Sequence, residues 1–424
     1  MSKQNIEFKD SGIAWIGEIP KHWEVIRNKY VFTHKKEIVG SKFKNFDILS
    51  LTKNGIKIIV ESDQKGKVPD SFETYQIVKK DDIVMCLFDL DVSAVFSGIS
   101  KYSGIISPAY KIFNPKENLN FKYAGYFFDF VFVNRKFKQY SKNIRFTLGT
   151  DEFMNLKIPL PPLNEQKKIA EFLDKKCEII DKRLSNLERK IKSLKEYKKS
   201  LISECVTTGL NPKNMEFKDS GIPWCPQIPS DWQVINPKIL FKQRNQKAKS
   251  GEIQYTASQE FGIISQEEYT RKTGYNMVKV LKGFDILKHV EVGDFVISMR
   301  SFQGGLEYSN VSGSISSAYV MLIPNSKFVN NRYFRWLFKS SKYIDALQST
   351  TNLIRDGQAM RYSNFALIKL IVPSLNEQKE IAEFLDKKCE KIDRLNENYT
   401  KQITALKEYK KSLIYECVTG KKEI

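Results

Sequence analysis

Apolar residues in two stretches of this chain recur in steps of four and three. The first stretch runs Leu173, Cys177, Ile180, Leu184, Leu187, Ile191 and Leu194, then Leu201 and Cys205. The second runs Leu385, Cys389, Ile392, Asn396, Tyr399, Ile403 and Leu406, then Leu413 and Cys417. Such a seam belongs to a long amphipathic helix of coiled-coil type. Pro161 and Pro162 precede the first stretch, Asn164 is the expected N-cap, and no Pro or Gly follows until Gly209. About 45 residues at ~1.5 Å each give roughly 65 Å of helix. One helix alone cannot hide so long a stripe. The two are expected to pack on each other, antiparallel if two modules follow head to tail around a pseudo-twofold axis. Lys198 and Lys410 interrupt the same step in both stretches. Asn396 stands where the first stretch has Leu184; a polar residue there either fixes register or lies at a wetter end.

The segments before each helix have a different rhythm. Short runs of Val, Ile, Phe and Tyr are broken by Gly, Ser and Asp, the pattern of strands in a mixed or antiparallel sheet. "DDIVMCLFD" from Asp81 matches "GDFVISMRS" from Gly293, and "SPAYKIF" from Ser107 matches "SSAYVML" from Ser316. The helices match more closely still. "PPLNEQKKIAEFLDKKCEIIDKRL" starts at Pro161 and "PSLNEQKEIAEFLDKKCEKIDRL" at Pro373. Asn164 and Asn376 are 212 residues apart, half of the 424-residue chain. "EFKDSGI" opens both halves, at Glu7 and Glu216, and each copy is followed by two tryptophans: Trp15 and Trp23, then Trp224 and Trp232. A period this long is a duplicated module and not a solenoid. It divides the chain into a first β-rich domain over 1–160, a helix over 161–209, a second β-rich domain over 210–372 and a second helix over 373–424. The fold class is α+β. Outside the anchors the β-rich regions diverge, as binding loops do on a shared scaffold.

Charge narrows the class of partner. With 69 Lys+Arg against 49 Asp+Glu the net charge is +20, which favours a polyanion. No apolar run reaches the ~18 residues needed to span a bilayer, and the first ten residues lack a signal-peptide core. Six cysteines without a CxxC and only three histidines give no zinc-binding spacing. Cys177, Cys205, Cys389 and Cys417 read as small buried apolar residues of a reducing cytosol.

Catalytic motifs are not found. There is no phosphate-binding GxxxxGK loop and no Gly-rich turn for a dinucleotide or S-adenosylmethionine. "SPAY" at Ser107–Tyr110 faintly resembles the Asn/Asp-Pro-Pro-Tyr motif of amino-methyltransferases, but "SSAY" at Ser316–Tyr319 drops the proline. Asp70, Glu73 and Asp89 could form a nuclease carboxylate cluster, a weak signal among 49 acids. Donors suited to base edges are more suggestive. In Met299-Arg300-Ser301-Phe302-Gln303-Gly304-Gly305, Arg300 and Gln303 have the donors for guanine and adenine. Ser301 lies between them; Arg300 could instead make a structural ion pair. Lys53 and Asn54, and in the second copy Gln259 and Glu260, lie in polar stretches ending at a Gly. They would read bases or form solvated turns. Arg145 and Arg355 stand in glycine-punctuated stretches before the helices and suit phosphate anchoring.

The doubled "LNEQKxIAEFLDKKCExID" helix, the doubled "SGIxW…IPxxW" opening and the two divergent β-rich regions resemble the specificity subunit of Type I restriction-modification enzymes. The likeness covers essentially the whole chain. It implies two target recognition domains, separated by an antiparallel coiled coil that docks partner subunits. Each domain would read one half of a bipartite, asymmetric site in double-stranded DNA, and the helices would set the spacer. The implied partners are two modification subunits, which carry S-adenosylmethionine and methylate a flipped adenine. Two restriction subunits, which use ATP and Mg to move and cut DNA, can join them. No cofactor or metal is expected on this chain, no membrane contact, and a cytoplasmic location. The competing readings are a self-contained DNA-modifying enzyme and a basic coiled-coil adaptor without DNA readout. Methyl transfer by the chain alone would favour the first, and an absence of sequence-dependent DNA binding with a flat salt response the second.

Overall fold

Strand-forming and helix-forming segments follow the same order through both halves. The computed structural model describes residues 7–52, 55–59, 71–90, 97–141, 146–277, 279–280, 284–350 and 360–424. The chain divides into two units, one of Met1–Leu187 with Lys401–Ile424 and one of Glu188–Thr400. Each unit therefore holds one β-rich region and part of both long helices.

A four-stranded antiparallel sheet lies at the centre of each β-rich region. In the first unit its order is Phe32–Lys35, Lys111–Pro115, Ile83–Met85, Ser97–Ile99. In the second it is Phe241–Arg244, Val320–Pro324, Phe295–Ile297, Glu307–Tyr308. The registers agree. Lys111 faces Met85 as Val320 faces Ile297, and Ile83 faces Ile99 as Phe295 faces Tyr308. Positions can thus be equated residue by residue: Met85 with Ile297, Tyr110 with Tyr319. A buried aspartate sits at the same place in both sheets. Asp82 accepts from Lys35 Nζ at 3.2 Å and Lys79 N at 2.7 Å. Asp294 takes a two-pronged bond from Arg244 at 2.7 and 2.9 Å. A buried charge is tolerated only when paired in this way.

The β-rich regions also contain helices that composition does not announce. Phe121–Val133, "FKYAGYFFDFVFV", is a 13-residue helix made mostly of strand-favouring residues. Its start is fixed by Asn120, whose side chain accepts from Lys122 N and Tyr123 N at 3.1 Å. Asn330 does the same for Asn331–Leu337. Tyr123, Phe127 and Phe128 are buried in the first core, and Tyr333, Phe334 and Leu337 in the second. The two buried tyrosine hydroxyls reach the last turns of the long helices: Tyr123 donates to Val418 O at 3.2 Å and Tyr333 to Val206 O at 3.0 Å.

The long helices are Leu163–Thr208 and Leu375–Val418. Both begin before the expected Asn caps. Asn164 and Asn376 lie inside the first turn, and in the second copy Ser374 Oγ accepts from Glu377 N at 3.3 Å. The shared Asn-Glu-Gln run has another use. Glu165 accepts from the Trp23 indole at 3.0 Å, and Glu377 from Trp232 at 2.9 Å. Gln166 is buried, accepts from Asn120 N at 2.8 Å and donates to Pro161 O at 2.8 Å. Gln378 repeats this with Asn330 N at 2.8 Å and Pro373 O at 2.9 Å. Each helix start is thereby tied to the opening tryptophan segment and to the helix of its β-rich region.

Within each unit the two long helices run antiparallel. In the first, Leu173, Ile180 and Leu184 share a core with Leu413 and Cys417, against which Ile403 and Leu406 pack. In the second, Ile202 and Cys205 share a core with Leu385 and Cys389. Leu187 and Ile392 are buried, while Ile191, Leu194 and Tyr399 are half-buried. Lys190 Nζ lies 5.6 Å over the Tyr399 ring. Asn396 carries a buried Oδ1 with no hydrogen-bond partner among the described residues, so it is not at a wet end. The two interrupting lysines answer each other: Lys410 Nζ is 2.6 Å from Asp181 in the first unit, and Lys198 Nζ is 2.6 Å from Asp393 in the second.

Two expected outcomes follow. Lys198→Asp with Lys410→Asp should set acid against acid at both places. At about 1 kcal/mol per exposed contact, Tm should fall by several degrees and recover when Asp181→Lys and Asp393→Lys are added; a thermal melt of the four-fold variant checks it. Gln378→Leu strands at least one buried donor and one acceptor, and should cost about 3 kcal/mol in denaturant unfolding.

Candidate nucleic-acid interface

In the second unit the hairpin of strands Tyr255–Ser258 and Gly262–Ser265 carries Gln259 and Glu260 at its tip. The turn after strand Phe295–Ile297 carries Met299 to Gly305, with a short helix over Ser301–Gly304. Hairpin and turn line one cleft of about 750 Å³, joined by Tyr269, Met277 and Tyr319. The structure thus brings Gln259, Glu260 and Arg300 together from segments 40 residues apart in sequence.

Their roles differ. Arg300 is exposed, and no ion pair or hydrogen bond of its guanidinium is found among the described residues. Gln259 Nε2 donates to Arg300 O at 2.9 Å. A Cβ on Gly304 would come within 2.6 Å of Gln259 Cδ, so a glycine is what lets that amide tuck against the turn. Gln259 therefore spends a donor on positioning Arg300. Ser301 is fully buried and its hydroxyl accepts from Ser298 N at 2.8 Å. It holds the turn and cannot reach a groove, which corrects its assignment as a DNA contact. Gln303 and Glu260 are exposed. Lys53, Asn54, Arg145 and Arg355 lie outside the described residues. Sequence reasoning missed Tyr319 and Tyr269 as cleft residues; the doubled Ser-Ala-Tyr and Ser-Pro-Ala-Tyr runs were the available signal for Tyr319.

The cysteines are poor candidates for chemistry. All six are buried free thiols. Burial pushes Cys86, Cys205 and Cys389 up to about 11 and Cys417 to about 12. A thiol held protonated at neutral pH is a weak nucleophile. Among the described residues no group of His, Cys, Asp and Glu has the geometry of a metal site, and no helix is long and apolar enough to cross a membrane.

A model of the Type I restriction modification DNA specificity domain matches the chain twice, over residues 20–194 and 229–405. The chain belongs to this family. The specificity-domain pair also has curated relatives along its length. It is 25% identical over 454 aligned residues to a putative type I restriction enzyme specificity subunit, MjaX, of Methanocaldococcus jannaschii, covering 96% of this chain and 95% of the relative. It is 27% identical over 290 residues to the MjaVIII specificity subunit of the same organism, covering 63% of each. Among solved structures it resembles a chain from work on complex assembly and conformational transition of the type I R-M system, with a TM-score of 0.68 at 14% identity, covering 95% and 99% of the two chains. It also resembles the HsdS subunit from Thermoanaerobacter tengcongensis, with a TM-score of 0.53 at 15% identity, covering 95% and 98%. These two likenesses concern fold. They agree with the α+β duplication read from the sequence.

Arg300→Ala should leave the unfolding free energy within about 0.5 kcal/mol of the parent, as exposed substitutions do, while weakening DNA binding by about 1–3 kcal/mol. Ser301→Val should do the reverse in kind, costing about 1–3 kcal/mol of stability through the unpaired Ser298 N–H. Denaturant unfolding and a DNA titration on both variants separate the two roles.

Proposed function

We propose that this chain is the DNA-reading subunit of a Type I restriction-modification complex and performs no catalysis itself. Each β-rich domain reads one half of a bipartite, asymmetric site in double-stranded DNA. The paired long helices set the spacer between the halves and dock two modification subunits; two restriction subunits can join the assembly. S-adenosylmethionine, ATP and Mg serve the partner subunits and not this chain. The complex works in the cytoplasm.

One observation carries this reading: a single scaffold occurs twice, with matching register and matching anchors, while the residues that follow the equivalent strands differ. Repeated docking surfaces suit repeated partners, and unlike loops suit unlike half-sites. The net charge of +20 supports affinity for the phosphate backbone. Reading modules on one face of a duplex are set about one turn apart, ~34 Å, and the 46-residue and 44-residue helices exceed that length.

The experiment is to assemble the chain with its modification subunits and map methylated adenines on genomic DNA. Removing one heptad from Ile180–Ile191, and the matching heptad from Ile392–Ile403, should shorten the spacer and leave both half-sites unchanged. An unchanged spacer would refute the ruler, and methylation without a bipartite motif would refute the function.

A further inference from the structure

Counted on from the equated strands, two unlike residues stand at the same offset. Three residues beyond Met85 stands Phe88, and three beyond its counterpart Ile297 stands Arg300. Across from them Tyr110 corresponds to Tyr319, each one residue before the strand that pairs with Ile83–Met85 or Phe295–Ile297. In the second unit Arg300 and Tyr319 line the cleft, with Glu260 beside them. In the first unit Phe88 and Tyr110 are both half-buried and stack on each other, with centroids 6.2 Å apart and ring planes at 24°. The backbone beneath Phe88 is built for it. Cys86 Sγ donates to Phe88 O at 3.5 Å, and Asp89 takes a left-handed φ of 50°.

The chemistry of the two positions is opposed. An exposed guanidinium presents parallel donors that match O6 and N7 of guanine, and a neighbouring carboxylate can accept from N4 of the paired cytosine. A phenyl ring has no donor or acceptor; the base-edge feature it can sense is the C5-methyl of thymine. We infer that this position sets the difference between the half-sites: Arg300 with Glu260 selects a G·C pair in the second half-site, and Phe88, braced by Tyr110, selects an A·T pair through its thymine methyl in the first. This rests on the DNA-reading function proposed above and adds the base class each domain demands at that point.

The test begins with the unmodified protein, so that folding is not at issue. The recognition motif is first found by adenine mapping with the assembled complex. Duplexes are then made with uracil replacing each thymine of the first half-site in turn, or 7-deazaguanine replacing each guanine of the second. Loss of one methyl in the first half-site and of one N7 in the second should each weaken binding roughly tenfold to hundredfold. Arg300→Phe should abolish the sensitivity to 7-deazaguanine and leave the uracil profile intact, and Phe88→Arg should replace the first half-site's A·T requirement with G·C. A flat uracil profile, a second half-site without guanine, or an Arg300→Phe variant that keeps the parental motif would overturn the assignment. Absence of any sequence-dependent binding by the parental complex would instead overturn the function on which it rests.

Discussion

Two helices of nearly the same sequence face a charge problem when they pair. Set parallel and in register, Lys198 would meet Lys410 and Asp181 would meet Asp393. Set antiparallel, each lysine meets the other helix's aspartate, as both units show. Exposed ion pairs contribute at most about 1 kcal/mol each, so apolar burial along the seam supplies the strength. The charges choose direction. Direction then decides everything downstream, because an antiparallel pair brings the last turns of one helix beside the first turns of the other. That is how Val206 comes under Tyr333 and Val418 under Tyr123.

Much of this plan was legible in the sequence because it is written twice. A seam of apolar residues over six turns admits one secondary structure, and a repeat with an offset of half the chain admits few architectures. Local signals fared worse. Asn164 looks like a cap, yet the helix starts one residue earlier, where proline-bounded geometry and the Glu165 and Gln166 contacts fix its entry. The helix Phe121–Val133 is composed of residues that prefer strands; burial of its aromatic face against the sheet and the Asn120 cap outweigh that preference.

The cleft was half legible for a similar reason. Side-chain type identified Arg300, Gln259 and Glu260 as polar groups suited to base edges. It could not say which would be free. Ser301 and Gln259 are drawn into holding the turn by contacts with Ser298 and the Arg300 carbonyl. The Gln259 contact joins segments far apart in the chain and follows from the fold alone, while the Ser298–Ser301 contact is local and depends on the turn's geometry. The scaffold spends some polar residues on shape so that a few others stand exposed on rigid supports.

The closing turns of the second long helix belong physically to the first unit. Leu413, Ile414, Cys417 and Val418 are part of its core, and Lys421 Nζ donates to Ile16 O at 2.9 Å. Gly420, at a φ of +73°, lies so near Pro20 that a Cβ would sit 2.2 Å from it. On the ribosome, the first unit must therefore wait for residues that follow the whole second β-rich region. The middle of the chain also takes part of the second long helix, but those residues emerge sooner. Until then the first unit keeps an apolar flank uncovered.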